Sequence, residues 1–242
     1  MSDRILFVIP AYNEENNISM PINDIRTNFA NADIIVVNDC SKDNTLKVLQ
    51  ELNVEYINLQ VNLGYSGAVQ TGIKYAKRHD YDYVIQFDGD GQHLASEAHK
   101  LYDAIKTSNV NIVIGSRFLE KTEYRHTLFR KIGTSLFTLL IKIITKERIT
   151  DPTSGLQILD RKTIDKYSLS GQYPEFPDAN LIAKMIVDGY KVKEVSCIMT
   201  ERTDGVSMHA GIIKPIKYVV KNLYSLFLIS ISAMFRRKKS DI

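Results

Sequence analysis

Cysteine is nearly absent: the 242 residues include two, Cys40 and Cys197, far apart along the chain. No disulfide framework staples such a fold, and this usage suits a reducing, cytosolic side. Long hydrophobic runs are missing too. The longest uncharged stretch of the apolar C-terminal segment, residues 222–235, has 14 residues, short of the roughly 20 that a bilayer-spanning helix needs. The first residues include charged Asp3 and Arg4 rather than a secretory leader, so the expectation is a chain neither exported nor spanning a membrane. Nor does one sign of charge dominate. Thirty-one basic against 28 acidic residues leave +3, which gives no reason to expect nucleic acid as a partner. With 44% apolar and 24% charged residues, a globular fold with a sizeable core is expected rather than disorder.

The near-balance of charge conceals an asymmetry. Residues 206–242 hold seven Lys/Arg against one Asp, a formal +6, and the remainder is −3. The apolar run there leads directly into Arg236-Arg237-Lys238-Lys239. Apolar insertion and attraction to anionic lipid together describe a helix lying in the headgroup layer. Packing on the domain, or in a homo-oligomer interface, is the alternative. The chain is therefore expected to divide into residues 1–205, a globular domain, and 206–242, a membrane-interface or oligomerisation segment.

The first half alternates short Ile/Val-rich runs with helical spacing. Strands are predicted over residues 5–9, 34–37, 54–59, 83–87 and 112–114, and helices over 44–52, 66–78 and 95–107. Alternation of this kind predicts an α/β fold, a mostly parallel sheet with helices on both faces. Ligands then sit at the carboxyl edge of the strands. The second half is less regular, with an apolar-basic segment over 129–146 and strands predicted over 156–159 and 191–199.

The sharpest motif is Asp88-Gly89-Asp90-Gly91-Gln92-His93, two carboxylates delivered by the fourth strand. Oxygen ligands so placed suit a hard divalent cation, Mg or Mn, bridging to a diphosphate. Asp and Gly also favour turns after any strand, so Asp-x-Asp alone is a weak signal. Haloacid dehalogenase-type phosphatases use such carboxylates, but they carry them on the first strand and follow them with Thr or Val where this chain has Gln92.

Other segments narrow the choice. Pro10-Ala11-Tyr12-Asn13-Glu14-Glu15 follows the first strand, Asn38-Asp39-Cys40-Ser41 the second, and Asn62-Leu63-Gly64-Tyr65-Ser66-Gly67 the third. Gly115-Ser116-Arg117, Asp151-Pro152-Thr153-Ser154-Gly155 and Arg202-Thr203-Asp204-Gly205-Val206-Ser207 come later. Together, over roughly residues 4–207, these resemble the inverting family 2 glycosyltransferases with a GT-A (Rossmann-like) fold, particularly the polyprenyl-phosphate, dolichyl-phosphate mannose synthase-like branch. The resemblance implies a nucleotide-sugar pocket at Pro10, Ala11, Tyr12, Glu14, Asp39, Gly64, Gly67 and Asp88. It implies metal ligands at Asp88, Asp90 and Gln92. Lipid phosphate would meet Arg117, Arg130, Lys131, Ser135 and Arg202, with Asp88, Asp90, Arg117 and Arg202 forming the catalytic set. The sequence departs from the branch at Asn38 and Cys40, where Asp and Gly are usual, and at Gln157, where Arg is frequent.

A polyprenyl phosphate is already ionised near neutral pH and needs alignment more than deprotonation, whereas a saccharide hydroxyl needs a general base. Glu175 and Asp178 are the base candidates. The expected enzyme is metal-dependent and peripheral on the cytoplasmic membrane face. It would move glucose from UDP-glucose to undecaprenyl phosphate for cell-envelope polysaccharide synthesis. A saccharide-acceptor transferase is the runner-up, and a phosphatase or a non-catalytic membrane-docked subunit the remoter alternatives.

Overall fold

The computed structural model describes residues 3–119, 128–200 and 213–240. The first half runs β1 (Ile5–Ala11), α1 (Ser19–Asn28), β2 (Asp33–Asn38), α2 (Thr45–Glu51), β3 (Glu55–Asn58), α3 (Gly64–Arg78), β4 (Tyr83–Gln86), α4 (Ala95–Thr107) and β5 (Ile112–Ser116). The second adds α5 (Leu128–Thr145), β6 (Gln157–Asp160), α6 (Arg161–Tyr167), α7 (Ala179–Val187), β7 (Val192–Ser196) and α8 (Ile213–Ser240). The strands form one sheet in the order β3-β2-β1-β4-β6-β5-β7. Among the described strands, β6 alone runs antiparallel to its neighbours, β4 and β5.

Alternate side chains of the strands feed two separate cores, as a sheet covered on both faces requires. Leu6 and Val8 of β1 join Ile35, Val84, Ile112 and Leu159 beneath α3, α5, α6, α7 and α8. Ile5, Phe7 and Ile9 join Val36, Ile85, Val113 and Ile158 beneath α1, α2 and α4. A Cβ at Gly72 would lie 2.2 Å from Val8 Cγ1, so glycine there lets α3 settle directly onto β1.

All five strands expected in the first half form, as do the three helices between them. The expected strand at 156–159 is β6, and 191–199 shortens to β7 followed by a single bridge, Met199 to His93. The apolar-basic segment becomes α5, and α8 continues in helix through the basic cluster to Ser240. Among the described residues no helix is long and apolar enough to cross a membrane. α8 packs on α7 and α5 and buries Leu226, Ala233 and the fully enclosed Asn222. Its opposite side exposes Val220, Tyr224, Phe227, Leu228, Ile231 and Met234, a stripe about 120° wide at 100° per residue. α5 similarly buries Phe137 and Ile141 and exposes Leu136, Leu139 and Ile143.

Candidate active site

The carboxyl ends of β1, β2, β3 and β4 bring their loops together. Asp39, 2% exposed, joins three of them: its N–H donates to Ala11 O (2.8 Å), its Oδ1 accepts from Leu63 N (2.6 Å), and its carbonyl accepts from Asn62 Nδ2 (3.1 Å). The carboxylate expected at the nucleotide base thus also fixes the loop that opens α3. The loop after β1 is tied to the start of α2, with Glu14 N donating to Thr45 Oγ1 (2.9 Å) and Asn13 N to Ser41 Oγ (3.0 Å). Pro10 and Ala11 end β1 beneath this loop, and Tyr12 stands exposed above it. Gly64 starts α3 at φ +75°, a conformation side chains rarely adopt. Gly67, one turn on, leaves room for the Leu63 side chain.

Asp88 is held from three sides. Tyr65 donates its hydroxyl to Oδ1 (3.0 Å), and the Asp88 N–H donates to His93 Nδ1 (3.1 Å). With Nδ1 accepting, the neutral ring carries its proton on Nε2, which faces Asp88 Oδ2 at 3.5 Å. His93 is only 4% exposed, so it supports the carboxylate from below. Asp90 Oδ1 accepts from Gln92 N (3.1 Å) across Gly91, whose φ of +75° completes the tight turn.

From the far side comes Gly155, two residues before β6. A Cβ there would stand 2.6 Å from Asp88 Oδ2, so only glycine leaves the space beside that oxygen open. The neighbouring Ser154 Oγ is buried with no hydrogen-bond partner among the described residues. A gap at the Asp88 carboxylate that any side chain at 155 would fill fits a divalent cation. Among the described residues no group of three or more His, Cys, Asp or Glu forms a complete protein cage. Magnesium-type ions are commonly held this way, by one or two carboxylates with substrate phosphates completing the shell.

Arg117, expected at phosphate, places its guanidinium on Asp151: Nε to Oδ2 (2.7 Å) and Nη2 to Oδ1 (2.8 Å). Asp151 is fully buried, and an enclosed carboxylate requires a partner of this kind. Glu194 of β7 completes the group by accepting from the backbone N–H groups of Thr150 (2.7 Å) and Asp151 (2.8 Å). Burial pushes the Glu194 carboxyl up against those donors.

The two base candidates separate. Glu175 is exposed and paired with Lys221 of α8. Asp178, just ahead of α7, is pushed up to about 6 by burial and by the nearby Asp88 and Asp151 charges, opposed by a hydrogen bond from Tyr218 and by Arg117. The same neighbourhood holds Tyr65, raised by burial and by Asp88, and Tyr173, raised by burial and hydrogen-bonded to Gln86. Tyr65 lies inside the Asn62–Gly67 segment but with no role of its own expected there, and Tyr173 and Tyr218 carry no motif signal in the sequence. Arg202 lies outside the described residues. Arg130 and Lys131 fall in the first turn of α5 with their side chains outside the described set, and Ser135 is exposed one turn on.

This arrangement, a mostly parallel sheet with a carboxylate pair at its carboxyl edge, belongs to the GT-A class. The glucosyl-3-phosphoglycerate synthase of Mycobacterium tuberculosis matches it with a TM-score of 0.71 at 16% identity, over 95% of this chain and 80% of that one. The chain belongs to glycosyl transferase family 2, whose family model matches residues 6–168. It is 30% identical over 207 residues to the UDP-N-acetylglucosamine–dolichyl-phosphate N-acetylglucosaminyltransferase of Methanococcus voltae, covering 76% of this chain and 82% of that protein. It is 27% identical over 219 residues to the polyprenol monophosphomannose synthase of Mycolicibacterium smegmatis, covering 87% and 82%. The family membership sets the phosphatase reading aside.

Proposed function

We propose that the protein transfers one sugar from a nucleoside diphosphate to a polyprenyl phosphate, with inversion, at the cytoplasmic face of a membrane. The observation that carries this is Asp88 in its cradle, oriented by Tyr65 and His93 and left open by Gly155. Asp88, Asp90 and Gln92 would hold Mg or Mn, which when bound offsets the charge on the departing diphosphate. Because Tyr65 and His93 fix Asp88 in advance, little reorganisation is left for the moment of reaction. Asp39 and the loops it joins would seat the nucleotide. Arg130, Lys131, Ser135 and Arg202 would meet the acceptor phosphate, and Arg117 would brace that wall through Asp151. The donor is a UDP-sugar in this reading, UDP-glucose foremost; the Methanococcus relative's name carries another UDP-sugar, which supports uridine. Cell-envelope polysaccharide synthesis is the process proposed.

The purified chain with Mn, a labelled UDP-sugar and polyprenyl phosphate is expected to yield an acid-labile glycolipid. A product made only from a saccharide acceptor would overturn the proposal in favour of the second reading, which the position of Asp178 supports. The same assay on Asp178→Asn separates the two. A phosphate acceptor needs no base, so the loss should stay near tenfold, whereas removing a general base costs about 100-fold or more.

The exposed stripes of α5 and α8 supply the membrane contact in this proposal, and the four consecutive basic residues 236–239 add attraction to anionic headgroups. Co-sedimentation should be stronger with anionic than with neutral vesicles and should weaken with salt. Phe227→Asp with Ile231→Asp should reduce it by about tenfold or more. A stable dimer that ignores vesicles would instead assign this face to a second copy.

A further inference from the structure

The segment between α6 and α7 touches both ends of the molecule's chemistry. On its inner side Tyr173 is hydrogen-bonded to Gln86 at the end of β4, and the Pro174 carbonyl accepts the hydroxyl of Ser66. Ser66 follows Tyr65, the residue that orients Asp88. On its outer side the segment is gripped by α8 at three successive points. Lys221 pairs with Glu175 and lies 5.6 Å from the Phe176 ring centroid. The Tyr218 ring meets Phe176 edge to face at 5.3 Å, and its hydroxyl donates to Asp178. On its other flank Tyr218 packs edge to face against Phe137 of α5 at 6.1 Å. One tyrosine thus stands where α5, α8 and the Asp178 segment converge.

We propose that Tyr218 is a positioning residue for sugar transfer, acting through Asp178 so that α8 forms a working wall of the reaction centre. The charges of Asp88, Arg117 and Asp151 all reach Asp178. Its orientation therefore sets part of the field in which the diphosphate leaves, and the Tyr218 hydroxyl fixes that orientation. A phenol wedged between Phe137 and Phe176 has little rotational freedom, so the hydrogen bond is directed by packing already in place. The inference rests on the transfer reaction proposed above, and it gives the C-terminal helix a part in turnover beyond any contact with lipid.

The test is a double-mutant cycle on the full chain in detergent, with kcat, acceptor KM and donor affinity measured for wild type, Tyr218→Phe, Asp178→Asn and the double variant. Tyr218→Phe keeps both ring contacts and removes only the hydroxyl. It should lower kcat about fivefold while leaving donor affinity and the thermal midpoint near wild type. The double variant should be no slower than Asp178→Asn alone, because the hydroxyl acts only through that carboxylate. Lys221→Met, which removes a surface ion pair from the same helix, should stay within about twofold of wild type. An unchanged kcat in Tyr218→Phe, or losses that multiply in the double variant, would overturn the proposal. Should wild type bind the donor yet make no glycolipid, the acceptor reading fails, and the same cycle read on slow donor hydrolysis decides the role of Tyr218 by the same criteria.

Discussion

Asp88→Asn and Asp90→Asn are each expected to lower sugar transfer by about a thousandfold, the largest loss from any single substitution in this chain. The reason is chemical rather than steric. Asparagine at 88 can still accept from Tyr65 and sit above His93, so the loop after β4 should keep its shape. What disappears is one negative charge in the open space beside Gly155, and with it the affinity for a divalent ion. Circular dichroism and thermal midpoint should stay near wild type, while the stabilisation that Mn and donor give the native protein should vanish. Normal function in both variants would show that the carboxylates are ordinary turn residues and would revive the reading of a non-catalytic membrane-docked subunit.

The largest loss of stability is expected at the Arg117–Asp151 pair. Both side chains are nearly enclosed, at 8% and 0% exposure. Removing one partner leaves an uncompensated buried charge, at a cost of about 3–5 kcal/mol. For a chain of this size Arg117→Met should lower the thermal midpoint by roughly 10 °C. Arg117→Met with Asp151→Leu should recover much of that, because two apolar groups need no partner. Arg117→Lys tests the fork itself: a single ammonium cannot reproduce the paired donors to Oδ1 and Oδ2, so stability should fall even though the charge is kept. If Arg117→Met melts like wild type but loses acceptor affinity, the residue serves phosphate directly.

The sheet was readable because its strands are buried on both faces and therefore appear as uninterrupted Ile/Val runs such as Ile5–Ile9. α1 was not. It carries Pro21, no acidic residue in its first turn and no side-chain cap, and its helical register comes from Ile18, Ile22 and Ile25 docking on the sheet. Its formation follows from tertiary burial rather than local preference. Within the site, Asp88, Asp90 and Asp39 were legible from motifs after strands. Their supports were not, because Tyr65 and Gly155 reach Asp88 from separate parts of the chain. The choice between Glu175 and Asp178 depended on residues far along the chain: Lys221 draws one outward, and Tyr218 holds the other in.

The reversed direction of β6 gives the molecule two unlike ends. A parallel strand arrives at the far edge and departs at the site, whereas β6 is entered from Gly155 beside Asp88 and ends at Asp160, opposite Tyr83. The turn of Asp80, Tyr81 and Asp82 at that far edge leads into β4 from the end remote from the carboxylates, and Asp80 is 80% exposed there. A fluorophore, affinity tag or surface tether grafted at Asp80 would thus ride on the back of the enzyme. The same graft between Asp151 and Gly155 would sit in the floor of the reaction centre.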